Sequence, residues 1–314
     1  MSKIIITDCD HKDITIEKNV FEQAGVAYEL KQVKTEQAVI DNCQDATVLC
    51  IQYAQISERV IESLPNLKLV VRYGIGYDTI NINAAKKHGV QACNIPDYST
   101  NEVADHAVAL TMTLARKVYL TNERIREGVW NFIETKPLKR LAETTVGVIG
   151  FGNIGQSYAH RMNAFGCKIL AYDTRSINPP GYVSMVSLEE VLIQSDIISI
   201  HSPGGADKYL ISTDELKKMK NTAMLINVSR GGIVDEEALD QALSNKTIAG
   251  AGFDVAKIEP MPKEHPLLKH KNFIISPHLA WYSEESEQEL KHKVASEAVR
   301  FIKGEKLHYP LISF

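Results

Sequence analysis

The stretch "TVGVIGFGNIGQ" (145–156) decides the fold of this 314-residue chain. An apolar, β-branched run ends in glycines spaced G-x-G-x-x-G, and a helical pattern follows. Such a series alone is weak, but between a strand and a helix it predicts a dinucleotide-binding turn rather than a merely structural one. Gly150 permits the tight turn, Gly152 lets the backbone approach a pyrophosphate, and Gly155 permits close contact between helix and strand. The candidate cofactor-binding residues of this turn are Gly150, Gly152, Asn153, Ile154 and Gly155.

An acidic residue in the next apolar run indicates which dinucleotide is bound. Asp173 ends "KILAYD", eighteen residues after Gly155. An acid at this place accepts hydrogen bonds from the adenosine ribose hydroxyls and repels a 2′-phosphate, so it predicts NAD as the cofactor. Arg175 lies two residues further on. Its positive charge weakens the preference, so NADP is less favoured rather than excluded.

Six strand-like runs, the first within the quoted stretch, are mostly separated by helical patterns such as "SLEEVLIQS". They are residues 145–150, 168–173, 197–202, 223–229, 248–255 and 272–276. Strands that alternate with helices form a parallel sheet with helices on its faces. This part of the chain is therefore predicted to be a doubly wound α/β domain.

The first hundred residues show a less regular version of the same alternation. Their strand-like runs are residues 3–7, 47–51, 67–73 and 90–95. One long helix over 99–128 is predicted to cross into the second domain, and another over 283–304 to cross back. The expected domains are thus a discontinuous first domain, residues 1–99 and 286–314, and a second domain, residues 100–285.

Composition and charge exclude several classes of protein. The net charge of −4 argues against a nucleic-acid-binding surface, and 44% hydrophobic residues suit a globular core. No apolar stretch approaches the roughly 20 residues that span a bilayer. The five cysteines are scattered without a CxxC pair, which predicts thiols rather than a disulfide framework or a zinc site. The first ten residues lack a signal-peptide core. We expect a cytoplasmic protein without a metal and without membrane or nucleic-acid partners.

Three polar residues follow later strands of the second domain. Arg230 follows "AMLINVS", Glu259 follows "GFDV" closely, and His278 follows "IISP". Alone, each has an ordinary interpretation as a surface ion pair, a solvated turn or a local hydrogen bond. Ligands of open α/β sheets bind at the carboxyl ends of strands, however. There an acid can orient an imidazole for proton transfer, and a guanidinium can hold a carboxylate. Beside a dinucleotide turn, these groups predict the reduction of a 2-keto acid by NADH.

Six stretches carry a resemblance to a known family. They are "RYGIGYDTI" (72–80), "NIPDYSTNEVADHAVAL" (94–110), "VGVIGFGNIG" (146–155), "INVSRGGIVDEEAL" (226–239), "GFDVAKIEP" (252–260) and "SPHLAWYS" (276–283). Through them, the chain resembles the D-isomer-specific 2-hydroxyacid dehydrogenase family along nearly its whole length. Within the family, the first, second and last of these most resemble the C-terminal-binding-protein-like branch. The resemblance implies a Rossmann NAD-binding domain inserted in a flavodoxin-like substrate domain.

The resemblance also implies roles for individual residues. Arg230 would bind and activate the substrate, and Glu259 would pair with His278 as the acid/base. Asp254 would hold the nicotinamide carboxamide. The residues implied to line the cofactor are Val103, His201, Pro203, Val228, Arg230, Asp254, His278 and Ala280. Those assigned to the substrate are Arg72, Tyr73, Gly74, Ile75, Gly76 and Trp281, with Tyr53 as a neighbour.

Departures from the family pattern affect contacts but remove no catalytic group. The loop "HSPGGADKYLI" has Pro203-Gly204-Gly205 in place of the usual Pro-Leu-Thr. The stretch "DVAKIEP" lacks the usual aromatic and acid after the valine, and Asp105 stands where many relatives have glutamate.

We expect an NAD-dependent D-2-hydroxyacid dehydrogenase working as a 2-keto acid reductase. The family further implies a homodimer, with the helix around 101–128 in the interface. The alternative is an NAD(H)-sensing, corepressor-like binding protein. The pocket residues suggest a medium-sized apolar or aromatic substrate side chain.

Overall fold

The computed structural model describes residues 3–10, 13–204 and 208–312 and divides the chain into two compact units. One unit consists of Met1–Ser99 with Ser283–Phe314, and the other is Thr100–Tyr282. The chain returns to the first unit at Ser283, slightly earlier than the expected residue 286. The reason is local, because the Ser283 side chain accepts a hydrogen bond from the Ser286 amide and so begins the last helix.

The first unit is a five-stranded parallel sheet with the strand order β2-β1-β3-β4-β5, which is the flavodoxin-like order. Its strands are β1 (Lys3–Ile6), β2 (Ala27–Leu30), β3 (Val48–Ile51), β4 (Leu69–Arg72) and β5 (Gln91–Cys93). Its helices are α1 (Thr15–Ala24), α2 (Glu36–Asn42), α3 (Glu58–Ser63), α4 (Ile82–Lys87) and α11 (Glu284–Ile302). The side chains of Thr35, Ser57 and Asn81 cap α2, α3 and α4 by accepting an amide hydrogen bond three residues on.

Strand β2 was not among the sequence predictions. Its four residues, "AYEL", are partly or fully exposed at the edge of the sheet, whereas the four residues of β3 are all buried. An edge strand has solvent on one side, so it lacks the continuous apolar run by which the central strands were recognised.

The second unit is a seven-stranded parallel sheet with the order β12-β11-β10-β9-β6-β7-β8. Its strands are β6 (Thr145–Ile149), β7 (Lys168–Tyr172), β8 (Val183–Met185), β9 (Ile197–Ile200), β10 (Met224–Asn227), β11 (Gly250–Phe253) and β12 (Phe273–Ile275). The predicted six strands are present, and the short β8 is added at one edge. Neighbouring β6 and β9 mark the point where the strand order reverses, which is where doubly wound sheets bind ligands.

The predicted helix over 99–128 is wrong in one respect, because it is two helices. They are α5 (Thr100–Arg116) and α6 (Val118–Arg126). Lys117 between them has φ +50°, in the left-handed region, which ends the first helix. The other helices of the unit are α7 (Asn153–Ala164), α8 (Leu188–Gln194), α9 (Thr213–Lys218) and α10 (Glu236–Ser244).

The described residues form one apolar cluster between sheet and helices in the first unit and two in the second. In the second unit, α5 buries Val103, Ala107 and Leu110 against the sheet, in agreement with their helical spacing in the sequence. No helix in the described ranges is both long and apolar enough to cross a membrane.

Candidate active site

The glycine turn between β6 and α7 has the geometry that a bound pyrophosphate requires. Gly150 has φ +90°, and a Cβ there would lie 2.6 Å from the backbone of His201. A Cβ on Gly155 would lie 2.1 Å from the carbonyl oxygen of Gly150, so only glycine lets α7 approach β6 this closely. Both positions therefore require glycine for structural reasons that do not depend on a ligand.

Gly152 is different, since a Cβ there would meet only Arg175 Nη2, at 3.6 Å. Gly152 precedes α7, and no side chain caps this twelve-residue helix. Its first amides, which include those of Asn153 and Ile154, therefore stand at the positive end of the helix dipole with room for an anion. The turn fits the pyrophosphate of a dinucleotide.

Asp173 follows β7 directly and its side chain is nearly buried beside the glycine turn. Its Oδ2 accepts a hydrogen bond of 2.8 Å from the Phe151 amide. Arg175 forms a bidentate pair with it, since Nε donates to Oδ1 and Nη2 to Oδ2, both at 2.9 Å. These hydrogen bonds from Arg175, despite the opposing effect of burial, hold the pKa of Asp173 well below its usual range. The carboxylate is thus ionised, as recognition of a ribose requires, but a guanidinium already contacts it.

The other cofactor candidates lie around the same edge of the second sheet. His201 follows β9, and its Nε2 lies 2.9 Å from Ser199 Oγ. Burial lowers the pKa of His201 to about 3, so this ring is neutral at physiological pH. Val103, Val228 and Ala280 lie together in one buried cluster, and Pro203 is exposed in the loop after β9. Their contacts with a cofactor stay a prediction.

Glu259 and His278 are brought together by the ends of the adjacent strands β11 and β12. Glu259 Oε2 lies 2.7 Å from His278 Nδ1, and its Oε1 accepts a hydrogen bond of 2.9 Å from the Ala256 amide. Burial alone would raise the pKa of Glu259. The hydrogen bonds from His278 and Ala256, with the charges of His278 and Arg230, outweigh burial and lower it. The side chains remain 39% and 43% exposed, so the pair is accessible to a reactant.

Arg230 follows β10, the strand next to β11, and completes the group. Its carbonyl oxygen accepts a hydrogen bond of 3.0 Å from Asn227 Nδ2, and its Nη1 donates to the Ser229 carbonyl at 2.7 Å. The side chain packs over Gly204, where a Cβ would lie 2.9 Å from Arg230 Cγ. A cation, a carboxylate and an imidazole thus share one sheet edge, and together they can hold an anion and move a proton.

Asp254 has a larger local role than the sequence indicated. It is 1% exposed, and its carboxylate accepts hydrogen bonds from the amides of Leu279 and Ala280. It also accepts one from Ser276 Oγ, which in turn contacts His106. Sequence reasoning missed Ser276 and His106, although both lie inside the quoted stretches "SPHLAWYS" and "EVADH".

Most substrate candidates lie in the first unit, at the carboxyl ends of the neighbouring strands β3 and β4. Tyr53 follows β3, and its amide donates to Asp8 Oδ2 at 2.7 Å. Arg72 ends β4, and its guanidinium folds over Gly74. Because φ is +134° at Gly74, any other residue would be strained there, and its Cβ would also displace the flexible end of the Arg72 side chain.

Two side-chain hydrogen bonds within the first unit hold the turn of residues 73–76. Tyr73 donates its hydroxyl to the buried Glu17 at 3.1 Å, and the carbonyl of Ile75 accepts a hydrogen bond of 2.6 Å from Asn94 Nδ2. The amides of Tyr73 and Gly74 in this turn already donate to the carbonyl oxygens of Ile51 and Arg72, so the amides of Ile75 and Gly76 are the candidates for a ligand. The remaining substrate candidate, Trp281, belongs to the second unit, where it is partly buried against the core.

A group of potential metal ligands lies elsewhere in the described part of the first unit. The ligand atoms of Glu58, Glu62 and His88 are all within 4.8 Å of one another. Lys87 Nζ, however, pairs with Glu58 at 2.6 Å, so ordinary surface ion pairing accounts for the group.

The fold and this edge of the sheet define a nicotinamide-dinucleotide-binding dehydrogenase with two parallel-sheet units. The model of the D-isomer specific 2-hydroxyacid dehydrogenase NAD binding domain matches residues 108–280. The chain belongs to this family. It is an NAD-dependent oxidoreductase that acts on CH–OH groups.

Three similar proteins support the assignment. The glycerate dehydrogenase of Methylorubrum extorquens is 36% identical over 311 residues, which are 96% of each chain. The glyoxylate reductase of Korarchaeum cryptofilum is 37% identical over 282 residues, covering 86% of this chain and 84% of the relative. The crystal structure of D-lactate dehydrogenase from Aquifex aeolicus, complexed with NAD and lactic acid, has a TM-score of 0.88 and 26% identity over 96% of each chain. None of these names supports a corepressor-like function.

Proposed function

We propose that this chain is an NADH-dependent reductase of small 2-keto acids, with His278 as proton donor. The observation that carries the proposal is the 2.7 Å contact between His278 Nδ1 and Glu259 Oε2 at the edge that also holds Arg230. Because Nδ1 is engaged by the carboxylate, Nε2 is the ring nitrogen left to exchange a proton with a substrate.

Each chain residue then has a chemical task. Arg230 holds the substrate carboxylate and polarises the adjacent ketone. His278 gives its proton to the ketone oxygen, and Glu259 stabilises the imidazolium that gives it. When bound, the nicotinamide supplies the hydride that C2 receives. In the reverse direction the neutral imidazole of His278 takes the hydroxyl proton.

The names of the relatives above refer to glycerate, glyoxylate and D-lactate, which are acids of two or three carbons. The sequence pointed instead to a larger apolar substrate, on the basis of Arg72 and Trp281. We therefore propose that the substrate is a 2-keto acid of two or three carbons rather than a larger apolar one. Asp173 favours NADH, and the Arg175 guanidinium that contacts it reduces the discrimination against NADPH.

The test is a panel of glyoxylate, hydroxypyruvate, pyruvate, phenylpyruvate and 4-methylthio-2-oxobutyrate with NADH and with NADPH. We expect turnover with the smallest acids and a preference for NADH. A His278→Ala variant should still bind NADH, while kcat falls by about 10²–10⁴-fold, the range typical of a lost general acid. Wild-type turnover in that variant, or an inactive wild-type enzyme on the whole panel, would contradict the proposal.

We also propose a homodimer and a cytoplasmic location. The side chains of Trp130 and Phe132 are 91% and 68% exposed, which is unusual for aromatic residues unless a partner covers them. The five cysteines are buried and none is in a disulfide bond, as is usual in a reducing compartment.

A further inference from the structure

We infer that His106 and Ser276 are positioning residues for His278 and act on it through Asp254. The inference rests on the proposed role of His278 and extends it to two further residues, of which Ser276 also accepts a hydrogen bond of 3.0 Å from the His278 amide on its carbonyl oxygen. Its starting point is the backbone of His278, which has φ +54°. A non-glycine residue in this left-handed region is strained, so neighbouring structure must hold it there.

Asp254 holds this backbone from two sides. Its carbonyl oxygen accepts a hydrogen bond of 2.8 Å from the His278 amide. Its carboxylate accepts the next two amides, that of Leu279 at 3.1 Å on Oδ1 and that of Ala280 at 2.9 Å on Oδ2. Three consecutive amides thus converge on one residue, and the loop that carries the imidazole depends on where the Asp254 carboxylate lies.

Ser276 and His106 fix the carboxylate in turn. Ser276 Oγ donates to Asp254 Oδ1 at 2.5 Å. A serine hydroxyl has a single proton, so the contact of 2.8 Å between Ser276 Oγ and His106 Nε2 is a hydrogen bond donated by the imidazole. The direction of the chain is therefore His106 to Ser276 to Asp254, and it requires a proton on Nε2 of His106.

The loss of His106 has a definite structural consequence. The carbonyl oxygen of Phe253 lies 3.4 Å from Ser276 Oγ and is a second acceptor for its proton. Without the donor on His106, the hydroxyl is free to turn from the carboxylate to this carbonyl. Asp254 Oδ1 would then lose the Ser276 donor and also the 3.5 Å contact with His106 Nε2 in a buried place, and the loop would lose its fixed position. The 2.7 Å contact of His278 with Glu259 would be disrupted first.

The test avoids Asp254, because its expected contact with the nicotinamide carboxamide would mix two roles. It compares His106→Leu, which removes the donor, with His106→Gln, whose side-chain amide keeps an N–H. Ser276→Ala removes the middle link. The matched control is His160→Leu, an exposed histidine on α7 whose ring packs on Tyr182.

We expect kcat to fall by about 10–100-fold in His106→Leu and Ser276→Ala, the cost of a misplaced reacting group, and to fall by much more than the affinity for NADH, which Asp254 is also expected to support. His106→Gln should recover most of kcat, and His160→Leu should behave as wild type. The imidazole ¹⁵N signals of His278 without substrate, assigned by their loss in His278→Gln, should shift in the two damaging variants and return in His106→Gln.

Two results would overturn the inference. One is a wild-type kcat with unshifted His278 signals in both damaging variants. The other is an equal loss of NADH binding and of thermal stability that His106→Gln does not repair, which would make the chain of hydrogen bonds purely structural. If no keto acid is reduced by the wild type, the proposed function fails instead, and the ¹⁵N signals still decide the inference.

Discussion

Glu259 differs from an ordinary surface carboxylate because its contact with His278 persists to low pH. The pKa of Glu259 lies below its usual range, so the carboxylate stays ionised through that range. The contact is lost only as the pH falls through the lowered pKa. In a Glu259→Gln variant the amide keeps the shape and loses the charge that favours the imidazolium. Glu259 holds this charge beside the proton that His278 donates, so we expect kcat/KM for reduction to fall in the variant at every pH above the lowered pKa of Glu259.

The measurement is the pH profile of kcat/KM in both directions. Glu264→Gln is the control, since Glu264 is exposed in the loop that follows Glu259. A Glu259→Gln variant with the wild-type profile of kcat/KM would show that Glu259 does not assist proton transfer by His278.

Single residues were predictable where the strand pattern placed them. Arg230, Glu259 and His278 each follow a strand, and parallel strands put their carboxyl ends on one edge, so the sequence could place them together. His106 and Ser276 are 170 residues apart, and the hydrogen bond between them has no local signal. The bidentate pair of Arg175 with Asp173 was equally invisible, because a spacing of two residues does not reveal which way a guanidinium turns.

Helix α7 lies close to strand β6, and two glycines at this contact have different roles. Gly155→Ala would push its Cβ into the Gly150 carbonyl, at 2.1 Å, so we expect a loss of about 2–3 kcal/mol in the free energy of unfolding. Gly152→Ala has open space and an ordinary φ, so the fold should keep its stability. The methyl group would instead stand where the pyrophosphate approaches, and NADH binding should weaken by about tenfold or more.

Urea unfolding and titration of NADH fluorescence measure the two effects separately. Gly181→Ala is the matched control in the same unit, because nothing lies within 4 Å of a Cβ there. Unchanged NADH affinity in Gly152→Ala would mean that this turn does not receive the cofactor. Wild-type stability in Gly155→Ala would contradict the described packing of α7 on β6.

Elements were predicted well where their burial was uniform and poorly where it was not. The buried strands of both sheets were recognisable as apolar runs, whereas the edge strands β2 and β8 were missed. The break between α5 and α6 was missed because helical spacing continues through it in the sequence. A left-handed lysine at residue 117 leaves no trace in the apolar pattern, since glycine is the residue by which such a break is usually recognised.

For the whole molecule, two parallel sheets followed from the sequence because helical crossovers between short apolar runs allow little else. The strand order within each sheet did not follow from that pattern, since periodicity does not determine which strands are neighbours. The family resemblance supplied it, and the orders seen in the two units agree with the flavodoxin-like and Rossmann types.

The second unit has an exposed apolar group of residues on its surface that bears on assembly. After α6, the side chains of Trp130, Phe132 and Ile133 are 91%, 68% and 61% exposed. Aromatic residues grouped in this way are typical of the centre of a protein interface, and we expect them to contact a second copy of the chain. A Trp130→Ser, Phe132→Ser double variant should sediment as a monomer where the wild type sediments as a dimer. Phe165→Ser, which changes an aromatic side chain that is 45% exposed elsewhere on the unit, should leave the dimer intact. Sedimentation velocity over a range of concentrations measures this. A monomeric wild type would refute the dimer, and a dimeric double variant would place the interface elsewhere.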